Sequence, residues 1–126
     1  MEEYINFFKA LSDKTRLRII WLLNKANLKL CVCEIMDSLN ESQYNVSRHL
    51  RILKNMGLLH EEKDGRWVYY SLITPKNQFQ KLIHKALSTV QEDLFSEESK
   101  RLKKRLALRE HGKCVEGIKG EECYEI

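Results

Sequence analysis

The stretch that decides the architecture is Val32–Met56, VCEIMDSLNESQYNVSRHLRILKNM. Val32, Ile35, Met36 and Leu39 stand at i, i+3, i+4 and i+7, the template of a short helix with one buried face. Asn40, Glu41 and Ser42 break the period. Ser42 is placed to cap a second helix running from Gln43 to about Met56, and Gly57 supplies its stop. Two short helices joined by three polar residues make a helix-turn-helix layout, in which the second helix is positioned for recognition.

On the N-terminal side, Tyr4, Phe7, Phe8 and Leu11 recur at helical spacing and predict an amphipathic helix over residues 2 to 11. Ser12 is expected to cap the next helix, from Lys14 to about Lys25, whose apolar residues from Leu17 to Leu23 lie nearly all round the axis, as in a buried central helix. Leu28, Lys29 and Leu30 alternate and suggest a short extended link, with Cys31 and Cys33 at the start of the helix that follows. On the C-terminal side, LLHEEKDGRWVYYSL reads as two β-prone runs around Asp64 and Gly65, a hairpin forming a wing. Pro75 is expected at the first position of a long final helix whose apolar stripe runs through Phe79, Leu82, Ile83, Ala86, Leu87, Val90 and Leu94. That stripe exceeds what one small subunit covers, so a homodimer packed through the first and last helices is expected. The fold class is therefore mainly α with a small β-hairpin.

The remaining chain sorts with this core. Residues 1 to 96 read as the winged helix-turn-helix and dimerisation domain. Residues 97 to 126 read as a basic helical extension, taken as a solvated face, followed by a flexible tail carrying Cys114 and Cys123. At 126 residues and 15.0 kDa the chain is one domain's worth, which excludes a large multidomain enzyme. The longest unbroken apolar stretch, Ile19 to Leu23, is far short of a membrane span, and Glu2 and Glu3 stand where a secretory signal would be basic, so a cytoplasmic protein is expected. The net charge of +4 suits a polyanionic partner, and the four cysteines at 31, 33, 114 and 123 read as metal-binding or redox thiols, not as a disulfide frame. No base, oxyanion-hole motif or phosphate loop accompanies the cysteines, which argues against an enzyme.

Within residues 5 to about 73, the runs FFKALSDKTRLRIIWLL, LCVCEI, SQYNVSRHLRILKNMGLL and DGRWVYYSL resemble, in that order, the ArsR/SmtB family of winged-helix metal-sensing repressors. CVC following a Leu is most similar to the arsenic- and antimony-responsive branch. The resemblance implies a repressor that binds double-stranded operator DNA as a homodimer and lets go when a soft ion reaches its thiolates. Arsenite-sensing relatives commonly read CVCxxC, whereas Met36 occupies the third position here, so a third ligand has to come from elsewhere.

With Val46 as the inward reference, Leu50 and Leu53 share its side, while Tyr44, Arg48, Arg51 and Asn55 fall opposite. Gln43, Tyr44, Ser47 and Arg48 are the candidates for base edges, a choice the family resemblance supports, with Asn45 at the helix edge and Arg51 beside them. His49, close to the buried side, reads as structural. Lys63 and Arg66 flank the wing turn and are candidate phosphate contacts, while Trp67, Tyr69 and Tyr70 read as packing residues.

The expected ligand set is Cys31 and Cys33 with one tail thiol, Cys114 or Cys123 of either subunit, giving a three-sulfur site for As(III) or Sb(III). Alternatives are a four-thiolate site for Cd(II), Pb(II) or Zn(II), and a thiol redox or persulfide switch. Two residues apart on an ideal helix point about 200° from each other, so joint capture by Cys31 and Cys33 is expected to unwind their helix and disturb the adjoining recognition helix.

Overall fold

The computed structural model describes residues 1–115 and 117. Helix α1 is Glu2–Leu11 and α2 is Lys14–Ala26. The cap of α2 is Asp13, not Ser12: the Asp13 carboxylate accepts the Arg16 N–H at 3.0 Å, while the Ser12 hydroxyl donates to the Phe8 carbonyl at the end of α1. Both residues can cap, and the shorter interhelical link gives the position to the second. Ile19 to Leu23 are all buried, as expected of a central helix, and Asn27 ends α2 in the left-handed conformation at φ 51°.

The link that follows is a strand. β1, Leu30–Cys31, pairs antiparallel with β3, Trp67–Leu72, placing Cys31 opposite Tyr69. β3 also pairs with β2, Leu59–Asp64, so the sheet order is β1-β3-β2, one strand more than the expected hairpin. Asp64 and Trp67 close that hairpin, and Gly65 supplies the φ of +65° that its tight turn requires.

Helix α3, Val32–Leu39, leads through residues 40 to 42 into α4, Gln43–Asn55, and the Ser42 hydroxyl accepts the Asn45 N–H at 3.2 Å as its cap. α3 is enclosed on nearly every side: all of its residues but Asp37 are buried, Glu34 and Ser38 included. Val46, Leu50 and Leu53 of α4, none of them measurably exposed, pack into the same core as Leu22 of α2 and Ile35 of α3.

The expected long final helix is instead two helices. α5 covers Gln78–Leu87 and is capped by Asn77, leaving Pro75 outside it. Ser88 and Thr89 turn their hydroxyls back onto the Lys85 and Ala86 carbonyls, competing with continued helix, and a single 3-10 turn at Glu92–Phe95 leads into α6, Ser96–Leu106. The apolar stripe divides accordingly. Phe79, Ile83 and Leu87 lean on the core, Phe95 stacks on Trp21 with centroids 4.3 Å apart, and Leu82 and Leu94 stay exposed.

Nor is α6 merely a solvated basic face. It packs along α3. Leu102 and Arg105 are each 5% exposed, Arg105 Nε lies 3.3 Å from Asp37, and Arg101 Nε donates to the Ser38 carbonyl at 2.8 Å. Arg18 of α2 joins the other end of α6 to the turn between α3 and α4: it donates to Glu98 at 3.0 Å and to the Leu39 carbonyl at 2.6 Å, and stands 3.5 Å from Glu41. Because Leu102 seats α6 in the main core, Leu102→Ala is expected to destabilise the chain by about 2–4 kcal/mol in thermal or denaturant unfolding. A loss below about 0.5 kcal/mol would be that of a surface substitution and would contradict this docking.

Candidate thiol site and nucleic-acid interface

Cys31 is the last residue of β1 and the N-cap of α3, with extended backbone at φ −83° and ψ 166°. It is therefore not helical, and the expectation that Cys31 and Cys33 diverge by 200° along one helix does not apply; no unwinding is needed to free the Cys31 sulfur. Its N–H donates to Glu34 Oε1 at 3.0 Å, the glutamate half of a capping box. The Cys-x-x-Glu spacing is the signal that could have drawn attention to Glu34 in the sequence.

The segment after α6 brings the second sulfur. Glu110 and Lys113 exchange backbone hydrogen bonds of 3.0 and 2.9 Å across His111 and Gly112, both at positive φ, forming a tight reversal. Cys114 then enters the interior, where it is 4% exposed, and its N–H donates to the Tyr69 hydroxyl at 3.0 Å. The Cys31 and Cys114 sulfurs are 3.2 Å apart, and Arg105 Nη2 lies 3.8 Å from the latter. Cys31, Cys33, Trp67, Tyr69 and Cys114 together form a buried cluster separate from the main core. The hydrogen bond to Cys114 and burial both push the Cys31 thiol well above its ordinary pKa, and burial raises that of Tyr69.

Three side chains, Cys31, Glu34 and Cys114, bring one ligand atom each to within 4.8 Å of one another, all buried. Metal–sulfur bonds of about 2.3 Å allow two sulfurs on one centre to stand up to about 4.6 Å apart. The Cys31–Cys114 separation meets that requirement, so the residues present fit a soft ion. Glu34 is already engaged, however. Arg109 donates to both of its oxygens at 2.6 Å, and also to the carbonyls of Lys29 at 2.7 Å and Gly112 at 3.2 Å. The hydrogen bond to Glu34 leads the effects that raise the Arg109 pKa. Arg109, missed in the sequence, was signalled by the four-residue spacing of Arg101, Arg105 and Arg109, which face Ser38, Asp37 and Glu34 in turn.

Of the other sequence candidates, Cys33 departs from the expectation of free thiols: it is fully buried on α3 and disulfide-bonded, so it enters thiolate chemistry only once reduced. Cys123 lies outside the described residues. Met36, in the place of the family's third cysteine, is 6% exposed within the main core.

Exposure along α4 follows its helical period. Tyr44 is 78% exposed, Arg48, Arg51 and Asn55 are exposed, and Gln43, Asn45 and Ser47 are half-buried. Asn45 accepts from Arg48 at 3.2 Å and donates to Glu41 at 3.0 Å, which orients the arginine along the helix. Ser47, Arg51, Lys54 and Asn55 line a groove whose far wall is Glu61 and Tyr70 of the hairpin. Lys63 and Arg66 are exposed near its tip, with the Arg66 guanidinium 4.6 Å from the centre of the Trp67 ring, while Trp67, Tyr69 and Tyr70 are buried packing residues.

His49 has the structural place expected of it. It is 4% exposed, with Nδ1 3.1 Å from Arg16 and Nε2 3.4 Å from Arg48. Burial is the largest of the effects on its pKa, which is lowered from 6.5, so the neutral ring is the folded form. The unfolded chain then takes up the proton more readily, and the stability His49 confers is complete above pH 6.5 and lost as pH falls through 6.5 toward the folded value. The unfolding midpoint is expected to drop between about pH 7 and pH 5, and to drop less in His49→Gln. An equal drop in both proteins would contradict a neutral His49.

Residues 13–61 match the family model described as "Bacterial regulatory protein, arsR family". The chain is 47% identical over 68 residues to an arsenical resistance operon repressor of Escherichia coli K12, covering 54% of this chain and 57% of that one. It is 46% identical over 65 residues to a cadmium resistance transcriptional regulatory protein CadC homolog of Staphylococcus aureus, covering 52% and 53%. The chain thus spans little more than half the length of these curated relatives. Among solved structures, the transcriptional regulator HlyU of Vibrio vulnificus superposes with a TM-score of 0.58 at 31% identity, over 71% of this chain and 88% of that one. The winged helix-turn-helix and the matched sequence agree: the chain belongs to the arsR family of bacterial regulatory proteins.

Proposed function

We propose that the chain is a metalloid-responsive transcriptional repressor that binds operator DNA in the cytoplasm as a homodimer and is released when As(III) or Sb(III) is captured by its cysteines. The observation that carries this reading is the pair of buried sulfurs, Cys31 and Cys114, 3.2 Å apart at the head of the helix that leads into the recognition helix. The arsenical resistance repressor among its relatives supports it.

In this reading Gln43, Tyr44, Asn45, Ser47 and Arg48 meet the major groove, Arg51 takes a phosphate, and Lys63 and Arg66 extend the contact beyond it. Tyr4, Phe8 and Leu82, each at least half exposed, surround Phe79, which the rings of Tyr4, Phe7 and Phe8 meet edge-on. That α1–α5 face is the dimer contact, and it sets two recognition helices about 34 Å apart, one turn of DNA.

Arsenous acid exchanges hydroxyls for cysteine sulfurs: each As–S bond formed releases one hydroxyl, which leaves with the thiol proton as water, and nothing is oxidised or reduced. Cys31 and Cys114 supply two sulfurs, and Cys33 supplies the third once a dithiol reductant has opened its disulfide by exchange, the reductant's own two thiols leaving as a disulfide. Joining Cys114 to Cys31 draws on the segment that α6 carries, and α6 in turn holds the turn before α4 through Arg101 on Ser38 and Glu98 on Arg18. A tenfold loss of operator affinity needs about 1.4 kcal/mol of differential binding, within the ordinary range of allosteric coupling.

Two experiments test this. Fluorescence anisotropy of a palindromic promoter fragment, with arsenite, antimonite, Cd(II), Pb(II) and peroxide added separately to the reduced chain, is expected to show release by arsenite or antimonite, and none from Cys31→Ser. Release by Cd(II) alone would favour a second reading, a divalent-ion repressor in which Glu34 joins the sulfurs, which the grouping of Cys31, Glu34 and Cys114 and the cadmium regulator among the relatives support. Release by peroxide alone would favour the thiol switch. In the absence of inducer, Arg48→Ala is expected to weaken operator binding by about 1–3 kcal/mol, and unchanged affinity would contradict the assigned DNA face.

A further inference from the structure

We propose that Arg109 is a specificity-determining residue of the thiol site: by holding both carboxylate oxygens of Glu34, it withdraws the oxygen donor from Cys31 and Cys114 and leaves a sulfur-only site that prefers a trivalent metalloid to a divalent ion. The inference rests on the proposed function.

Glu34 is 1% exposed, and each of its oxygens receives an Arg109 nitrogen at 2.6 Å, with the Cys31 N–H adding a third hydrogen bond to Oε1. Its charge is cancelled before any ligand arrives. In a buried site the charge a ligand leaves over bears on whether it is accepted, because an uncompensated buried charge is strongly disfavoured. Three thiolates around a trivalent centre cancel, and the Glu34–Arg109 pair remains neutral beside them. Three thiolates around a divalent ion leave one negative charge over. Two thiolates and Glu34 around a divalent ion require the carboxylate to give up the two hydrogen bonds by which Arg109 brackets it. The first divalent arrangement leaves a charge over and the second breaks the Glu34–Arg109 hydrogen bonds, whereas the trivalent one does neither. Carboxylate donors suit harder cations and thiolates softer ones, so removing Glu34 from the donor set acts in the same direction.

The test measures Cd(II) and arsenite affinities of the reduced full chain, Cd(II) from sulfur-to-metal charge-transfer absorbance and arsenite by competition with a small dithiol. Arg109→Gln is expected to raise the ratio of Cd(II) to arsenite affinity by about tenfold or more, a coupling of ordinary allosteric size. Adding Glu34→Gln is expected to return the ratio to its starting value. If Arg109 only anchors the segment that carries Cys114, both affinities fall in parallel and the ratio stays put, which overturns the inference. So does a ratio that remains raised in the double variant. Should Arg109→Gln fail to fold, Arg109→Lys makes the same comparison, because lysine keeps the charge but cannot bracket both oxygens. A smaller rise is then expected, and no rise overturns the inference. A wild-type chain that takes up neither probe through Cys31 and Cys114 overturns the proposed function as well, whereas uptake of both with a ratio indifferent to Arg109 overturns this inference alone.

Discussion

A carboxylate sealed inside a protein must be answered by a cation, and here Glu34 is answered by Arg109 from 75 residues further along the chain. That pairing ties the end of the C-terminal extension to the first turn of α3. The same arginine holds the Lys29 and Gly112 carbonyls, so the β1 entry, the head of α3 and the reversal before Cys114 are fixed to one guanidinium. The meeting of the two sulfurs follows from it. Removing Arg109 alone would leave the Glu34 carboxylate buried and uncompensated, at a cost of about 3–5 kcal/mol.

α3 is the short element on which the rest bears. Its N-terminus carries Cys31 and Glu34, its C-terminus runs into the turn before α4, and α6 with the segment after it lies along it from one end to the other. Arg109 and Arg105 hold the thiol end and middle, Arg101 and the Glu98–Arg18 pair hold the turn. A close-packed helix of eight residues has little room to yield locally, so a displacement at one end is passed on rather than absorbed.

Much of this was legible in the sequence. The periodicity of Val32 to Leu39, the Ser42 cap, the inward set of Val46, Leu50 and Leu53, and the Asp64-Gly65 hairpin are local signals, and each appears where its spacing puts it. What was not legible depends on contacts distant in the chain. The break after Leu87 arises from side-chain hydroxyls competing with the helix in a stripe whose apolar period continues unbroken. The burial of Arg105 and the docking of Arg109 depend on acidic partners on α3, whereas composition alone makes that segment look solvated. Cys31 reads as the start of a helix in the sequence because β1 is only two residues long and is defined by its pairing with Tyr69 and Tyr70. A tail thiol beside Cys31 is expected from the sequence, but that Cys114 takes the place depends on a reversal around His111 and Gly112 that no periodicity marks.

The central claim is that ligand capture at the sulfurs alters the turn before the recognition helix by way of the docked extension. Hydrogen exchange of backbone amides, read with and without arsenite in the reduced chain and in Cys114→Ser, tests it most directly. The account predicts altered exchange at residues 38 to 45 in the wild type and none there in the variant. A change confined to residues 107 to 115, with the turn indifferent to arsenite, would contradict it.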